Sequence, residues 1–136
     1  MSSPQSRAVR FTIEVSPGEL LDKISILQIK SERVGDPAKL KNIRYELQLY
    51  EDIVRGRIPG GKELSLLTAE LKAVNEALWA IEDEIRACEA RGEFGDGFVA
   101  LARSVYRTND RRAAIKREIN VLCGSSIVEE KSYTRY

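Results

Sequence analysis

The fold is decided by residues 64–88, which read LSLLTAELKAVNEALWAIEDEIRAC. Apolar side chains recur in this stretch at alternating spacings of three and four residues, which puts them on one face of a helix. The pattern is typical of a helix that packs lengthwise against another, and it predicts a helix over residues 63–91. The side chains of this face are Leu64, Leu67, Leu71, Val74, Leu78, Ile81, Ile85 and Cys88.

Three further helices are predicted around this one. A glycine-rich turn separates residues 63–91 from a helix over 97–123, and a short connection makes long helices antiparallel neighbours. Upstream, Ser16-Pro17 and Asp36-Pro37 are helix starts, and they predict helices over 16–33 and 37–54. The predicted fold is mainly α: a helical bundle built on a long antiparallel coiled-coil-like hairpin. Residues 1–136 would form a single helical domain with a C-terminal tail over 125–136.

The N-terminal residues have a different period. Val9, Phe11, Ile13 and Val15 alternate with polar residues, which predicts one short β-strand over residues 8–15. A lone strand needs a partner for its main-chain groups. We expect that partner to be the tail around residues 126–130 or a second subunit. Residues 1–7 are polar and are expected to be disordered.

Composition excludes several classes of function. The chain has a net charge of +1 and no histidine, which removes Ser-His-Asp and Cys-His sites and the commonest zinc ligand. We therefore assign no catalytic residue, no metal and no cofactor. The near-zero charge gives no indication of nucleic-acid binding. No apolar stretch approaches the roughly 20 residues that span a bilayer, so we expect no membrane association and a cytoplasmic location.

The apolar pattern breaks at residues 107–112, which read RTNDRR. The helical repeat places Arg112 on the inner face, where an unpaired charge is costly. One interpretation is a structural ion pair of Arg112 with Glu82, Glu70 or Asp22. A second is a break in the helix, with Thr108 or Asn109 capping a new one. A third is a pocket for a ligand.

The third interpretation names a set of candidate ligand-binding residues. Arginine side chains bind phosphate and carboxylate groups through paired hydrogen bonds, and asparagine amides could orient the bound anion. In an enzyme of this kind, Glu82 would be the nearest acid-base partner. The candidate residues are Arg107, Arg111, Arg112, Lys116, Asn75, Asn109 and Glu82.

Four stretches carry a resemblance to a known family. They are SPGELLDKISIL at 16–27, ELKAVNEALW at 70–79, LARSVYRTND at 101–110 and GSSIVEEKSY at 124–133. From about Phe11 onward the chain resembles a bacterial family of small proteins of unknown function. That resemblance implies a small bacterial cytosolic protein and brings no activity with it. A weaker likeness is to the all-helical chorismate mutases, but the Arg-x-x-Ile-Asp type of first-helix start is absent.

Two hypotheses of function follow. The first is a non-enzymatic interaction or oligomerisation module, which acts as a homodimer or binds another protein. It rests on the coiled-coil periodicity, the missing histidine and the apolar residues that a small bundle leaves uncovered. The alternative is a protein that binds, or an enzyme that acts on, a small anionic ligand held by the Arg/Lys cluster.

Overall fold

The computed structural model describes residues 8–136, and its regular structure is helical. The helices are α1 (Pro17–Arg33), α2 (Pro37–Val54), α3 (Lys62–Arg91) and α4 (Asp96–Leu122). The prediction of a mainly α protein is confirmed. Residues 1–7, which were predicted to be disordered, lie outside the described residues.

Helix α1 is the central element, because it packs against each of the other three helices. It begins where Ser16 accepts a hydrogen bond from the Glu19 amide through its side chain, and Pro17 occupies the first helical position. Its buried residues lie on two sides, as expected for a helix with neighbours all round. They are Gly18, Leu21, Asp22, Ile24, Ser25, Leu27 and Ile29.

Helices α3 and α4 form the most extensive helix pair and run antiparallel. Three side chains of this pair are completely buried: Leu71, Ile115 and Ile119. Removing such apolar surface from water is the main contribution to the stability of the fold. The core cluster comprises Leu21, Ile24, Leu64, Leu71, Ile115 and Ile119. The coiled-coil character of this pair stays a prediction.

The polar run at 107–112 does not interrupt α4, which is continuous from Asp96 to Leu122. The interpretation of this run as a break with a new cap at Thr108 or Asn109 is therefore wrong. Arg112 instead pairs with the carboxylate of Asp22 on α1. Because its charge is neutralised inside the bundle, α4 does not have to break to expose it to solvent.

The predicted strand over residues 8–15 is also wrong. In the described part of the chain these residues have no regular secondary structure, and all of them are exposed. The side chain of Phe11 is 89% exposed and that of Ile13 is 76% exposed. The physical reason is that a strand needs a neighbour to pair its N–H and C=O groups, and no other described segment lies alongside this one as a strand.

The expected internal partner, the tail, follows α4 instead. Glu129 lies 3.4 Å from the ammonium group of Lys116. At the end of the chain the Tyr136 hydroxyl donates a hydrogen bond to Asp110. The Tyr136 ring also meets the edge of the Tyr106 ring at a centroid distance of 4.9 Å. These contacts place the tail along α4, where it does not pair with residues 8–15.

Candidate functional site

A buried aspartate joins three helices. Asp22 of α1 is 1% exposed. Its carboxylate accepts hydrogen bonds from Arg112 Nε of α4 at 2.9 Å and from Asn75 Nδ2 of α3 at 2.8 Å. A third bond comes from the Arg112 Nη2 group, so the arginine binds both carboxylate oxygens. This bidentate geometry is the strongest form of the arginine–carboxylate pair.

Ser25 completes the hydrogen bonding beneath this pair. Its hydroxyl donates to the main-chain carbonyl of Asp22 at 2.8 Å and accepts from Asn75 Nδ2 at 2.7 Å. The amide nitrogen of Asn75 therefore donates both of its hydrogen bonds to acceptors on α1. Because a buried polar group costs free energy unless it is paired, this arrangement fixes how α1 sits on α3.

The charges of this pair stabilise each other. Burial alone raises the pKa of Asp22, but hydrogen bonds from Arg112 and Asn75 outweigh it and bring the pKa below its usual value. The hydrogen bond with Asp22 raises the pKa of Arg112 above its usual value, against the opposing effect of burial. Both groups are thus charged at neutral pH.

Lys116, one turn beyond Arg112, is bound by carboxylates as well. Its side chain is 12% exposed, and its ammonium group lies 2.7 Å from Glu19, 3.4 Å from Glu129 and 3.8 Å from Asp22. Burial lowers the pKa of Lys116, but the hydrogen bond to Glu19 and the nearby carboxylates raise it further, so the net change is upward. The lysine connects α1, α4 and the tail.

A glycine sets the close approach of α1 to α4. The main-chain N–H of Gly18 donates to the Asn120 side-chain carbonyl at 2.7 Å. A Cβ atom at Gly18 would lie only 2.5 Å from the carbonyl oxygen of Lys116. A glycine is required here because the backbones touch.

The other candidates lie away from Asp22. Arg111 forms an ion pair with Glu70 on the outside of the α3–α4 pair. Glu82 lies 3.6 Å from Arg86 one turn along α3, and both side chains are more than half exposed. Arg107 is exposed on α4. The seven candidates therefore do not form one site: Arg112, Lys116 and Asn75 meet at Asp22, and Arg111 and Arg107 do not.

Beside the Asp22 cluster is an open groove of about 540 Å³ between α1, α3 and α4, which we name the Trp79 groove. Four of the seven candidates, Asn75, Asn109, Arg112 and Glu82, belong to its lining. We call its exposed charged residues, Glu82, Asp83 and Arg86, the rim; its apolar residues Ile26, Leu78 and Trp79 the wall; and its less exposed polar residues Asn75 and Arg112 the floor. The complete lining is Ile26, Ile29, Asn75, Leu78, Trp79, Glu82, Asp83, Arg86, Asn109 and Arg112.

The arrangement at Asp22 is built for holding helices together. Three cations, Arg111, Arg112 and Lys116, have carboxylate partners. Within residues 8–136 no three His, Cys, Asp or Glu side chains come together in a way that could hold a metal ion. In the same range, no helix has the length and apolar character needed to cross a membrane.

Sequence reasoning named Asp22 as one possible partner of Arg112 but missed Ser25 and Gly18. A signal for Ser25 was available: Asp22 and Ser25 are polar residues three apart that interrupt the apolar face of α1. Residues at this spacing share a face. For Glu129 no signal existed, because its contact with Lys116 depends on the path of the tail.

Comparison with known proteins gives a family and no activity. Residues 11–136 match the model of a family described as a family of unknown function (DUF6165). The match covers nearly the whole chain, so the chain belongs to this family. Neither a curated protein nor a solved structure matches it.

Proposed function

We propose that this chain, a member of the DUF6165 family, is a protein-interaction module that forms a homodimer through residues 8–15. The observation that carries the proposal is the exposure of this segment: Val9, Phe11 and Ile13 are each more than three-quarters exposed. They alternate with Arg10, Thr12 and Glu14, so an extended chain presents one apolar edge. Contiguous apolar surface of this kind is typical of a contact with another protein.

The charge distribution favours this function over anion binding. Carboxylates of Glu19, Asp22 and Glu129 surround Lys116 and Arg112. An incoming phosphate would have to displace them or share their partners, and it would meet their repulsion. An ion-paired cluster with few free donors is better suited to fixing helices than to capturing an anion.

The experiment that tests the proposal replaces Phe11 and Ile13 together by serine. We expect the dimer dissociation constant to rise by at least about 30-fold, or about 2 kcal/mol, because two partly buried apolar side chains are lost from the contact. The thermal unfolding midpoint of the monomer should not change, since both side chains are exposed in it. Molar mass from light scattering across a dilution series gives the dissociation constant.

The matched control replaces Tyr45 and Val121 by serine. These side chains are 74% and 75% exposed on α2 and α4, so the control removes similar apolar surface elsewhere. It should dimerise like the parent chain. Equal dissociation constants for the Phe11/Ile13 variant and the parent would show that residues 8–15 do not form the interface.

A second candidate is a binder of, or an enzyme acting on, a small phosphate or carboxylate ligand. The observation that favours it is the grouping of Asn75, Asn109, Arg112 and Glu82 in the Trp79 groove. A ligand at about 100 times its dissociation constant raises the free energy of unfolding by about 2.7 kcal/mol. If the chain is an interaction module, its unfolding midpoint should not rise when inorganic phosphate, phosphosugars, nucleotides or dicarboxylates are added.

The control for this screen is the double variant Asp22→Leu with Arg112→Met, which removes the buried ion pair as a whole. A saturable rise of the midpoint in the parent chain that is lost in the double variant would establish the second candidate.

A further inference from the structure

The floor of the Trp79 groove contains a buried amide with one free atom. Asn75 is 5% exposed, and its Nδ2 group donates to Asp22 and to Ser25. Its Oδ1 atom accepts no hydrogen bond from the described residues. Every side-chain oxygen that is fully shielded from solvent in these residues has a hydrogen-bond partner, so Oδ1 is not fully shielded. Oδ1 therefore keeps some accessible surface, and it belongs to a residue that lines the groove. The orientation is fixed because the Asp22 carboxylate can only accept, so the amide nitrogen must face it.

A free donor lies on the same floor. Arg112 uses Nε and Nη2 on Asp22, and its remaining amino group, Nη1, has no hydrogen-bond partner within the described part of the chain. The arginine side chain is 29% exposed and lines the groove. The floor thus offers one acceptor and one donor to an occupant.

This pair of free groups selects the occupant by its chemistry. A phosphate or carboxylate could accept from Arg112, but its oxygens would repel Asn75 Oδ1. A peptide group satisfies both, because its N–H donates and its C=O accepts. The apolar wall formed by Ile26, Leu78 and Trp79 in turn fits bulky apolar side chains. The groove therefore suits an extended peptide segment with apolar side chains.

Residues 8–15 have these properties. Their main chain is in no helix or strand, and Phe11 and Ile13 are exposed. Their charges also match the groove rim, where Glu82 and Asp83 stand near Arg86. Arg10 of the segment can form an ion pair with the rim carboxylates, and Glu14 can form one with Arg86.

We infer that residues 8–15 of a second copy of this chain occupy the Trp79 groove, and that the exchange is reciprocal. This inference rests on the proposed homodimer and names where its segment binds. The occupant is a second copy because the segment of the chain itself lies exposed and leaves its own groove open. A reciprocal exchange gives a closed twofold dimer, in which each interface contains the same pair of surfaces.

The test uses Trp79, which is the only tryptophan in the chain. A synthetic peptide of residues 8–15 is titrated into the full-length Phe11→Ser/Ile13→Ser variant, whose groove should be empty. We expect a saturable blue shift of the Trp79 emission, because Phe11 and Ile13 of the peptide displace water from the indole. A control peptide with serine in place of Phe11 and Ile13 should bind at least about 30-fold more weakly.

A pair of substitutions on α3 provides an independent readout. Trp79→Ser removes apolar groove wall, and Leu66→Ser removes a side chain that is 61% exposed and outside the groove. By light scattering, the Trp79 variant should be largely monomeric at concentrations where the Leu66 variant is dimeric. The fluorescence titration keeps the inference testable if the Trp79 variant does not fold.

The outcomes separate this inference from the proposed function. A dimeric parent, together with a Phe11→Ser/Ile13→Ser variant whose Trp79 emission does not respond to the peptide, would overturn the groove as the binding site while leaving the homodimer in place. A blue-shifted emission in a parent that is monomeric at every concentration would show that the segment docks in its own chain, which also overturns the inference. A monomeric parent that does not respond to the peptide would overturn both proposals.

Discussion

Replacing Asp22 by alanine is expected to lower the free energy of unfolding by about 3–5 kcal/mol, because it leaves a charged group without its partner in a partly buried site. Arg112 would lose both of its carboxylate bonds, and Asn75 would lose one acceptor. Small domains are stable by only about 5–15 kcal/mol. The loss is measured by urea unfolding followed by circular dichroism. All variants are compared at one protein concentration, because the proposed dimer would add to the apparent stability.

Two variants make the Asp22 result specific. Glu82→Ala also removes a helix carboxylate. Glu82 is half exposed, and among residues 8–136 its one ion-pair partner is Arg86, so we expect a change within about 0.5 kcal/mol. The double variant Asp22→Leu with Arg112→Met removes the pair together and should recover most of the lost stability. An Asp22→Ala protein as stable as the parent would contradict the role of this cluster in holding α1.

Replacing Gly18 by valine is expected to cost about 3 kcal/mol or more, because the new side chain would overlap the backbone of α4. A Cβ atom there lies 2.5 Å from the Lys116 carbonyl oxygen and 2.9 Å from Asn120 Oδ1. Neither the helix backbone nor the bonded amide can move freely, so α1 would have to shift and lose its hydrogen bond to Asn120. The measurement is again the urea unfolding curve.

Gly97 is the matched control for Gly18. Gly18 is the second residue of α1, and Gly97 is the second residue of α4. Unlike at Gly18, a Cβ atom at Gly97 would have no neighbouring atom within 4 Å. Gly97→Val should therefore be neutral within about 0.5 kcal/mol. Equal destabilisation by the two substitutions would mean that helix propensity, and not the contact between α1 and α4, decides the effect.

The mainly helical fold could be predicted because the apolar residues that repeat along α1, α3 and α4 supply the buried core, and those of α2 pack against it partly buried. Leu64 and Leu71 of α3 pack against Ile115 and Ile119 of α4, and their spacing is readable in the sequence. The strand over residues 8–15 was a wrong prediction, because alternation reports which side chains share an edge and says nothing about a partner strand.

The candidate site was predictable only in part. Arg111 and Arg112 are adjacent in sequence, but successive helix positions point in directions about 100° apart. As a result Arg111 reaches Glu70 while Arg112 reaches Asp22. Asp22 is buried because α1 packs against both α3 and α4. This packing depends on the arrangement of all three helices. A periodicity within one helix cannot reveal it.

We propose that the buried charges hold the helices together and that residues 8–15 mediate association. The most direct measurement is sedimentation equilibrium of the parent chain across a wide range of concentration. Association through residues 8–15 predicts a mass that rises with concentration from 15.3 kDa, the mass of one chain, toward twice that value. A constant mass of one chain at all concentrations would contradict it.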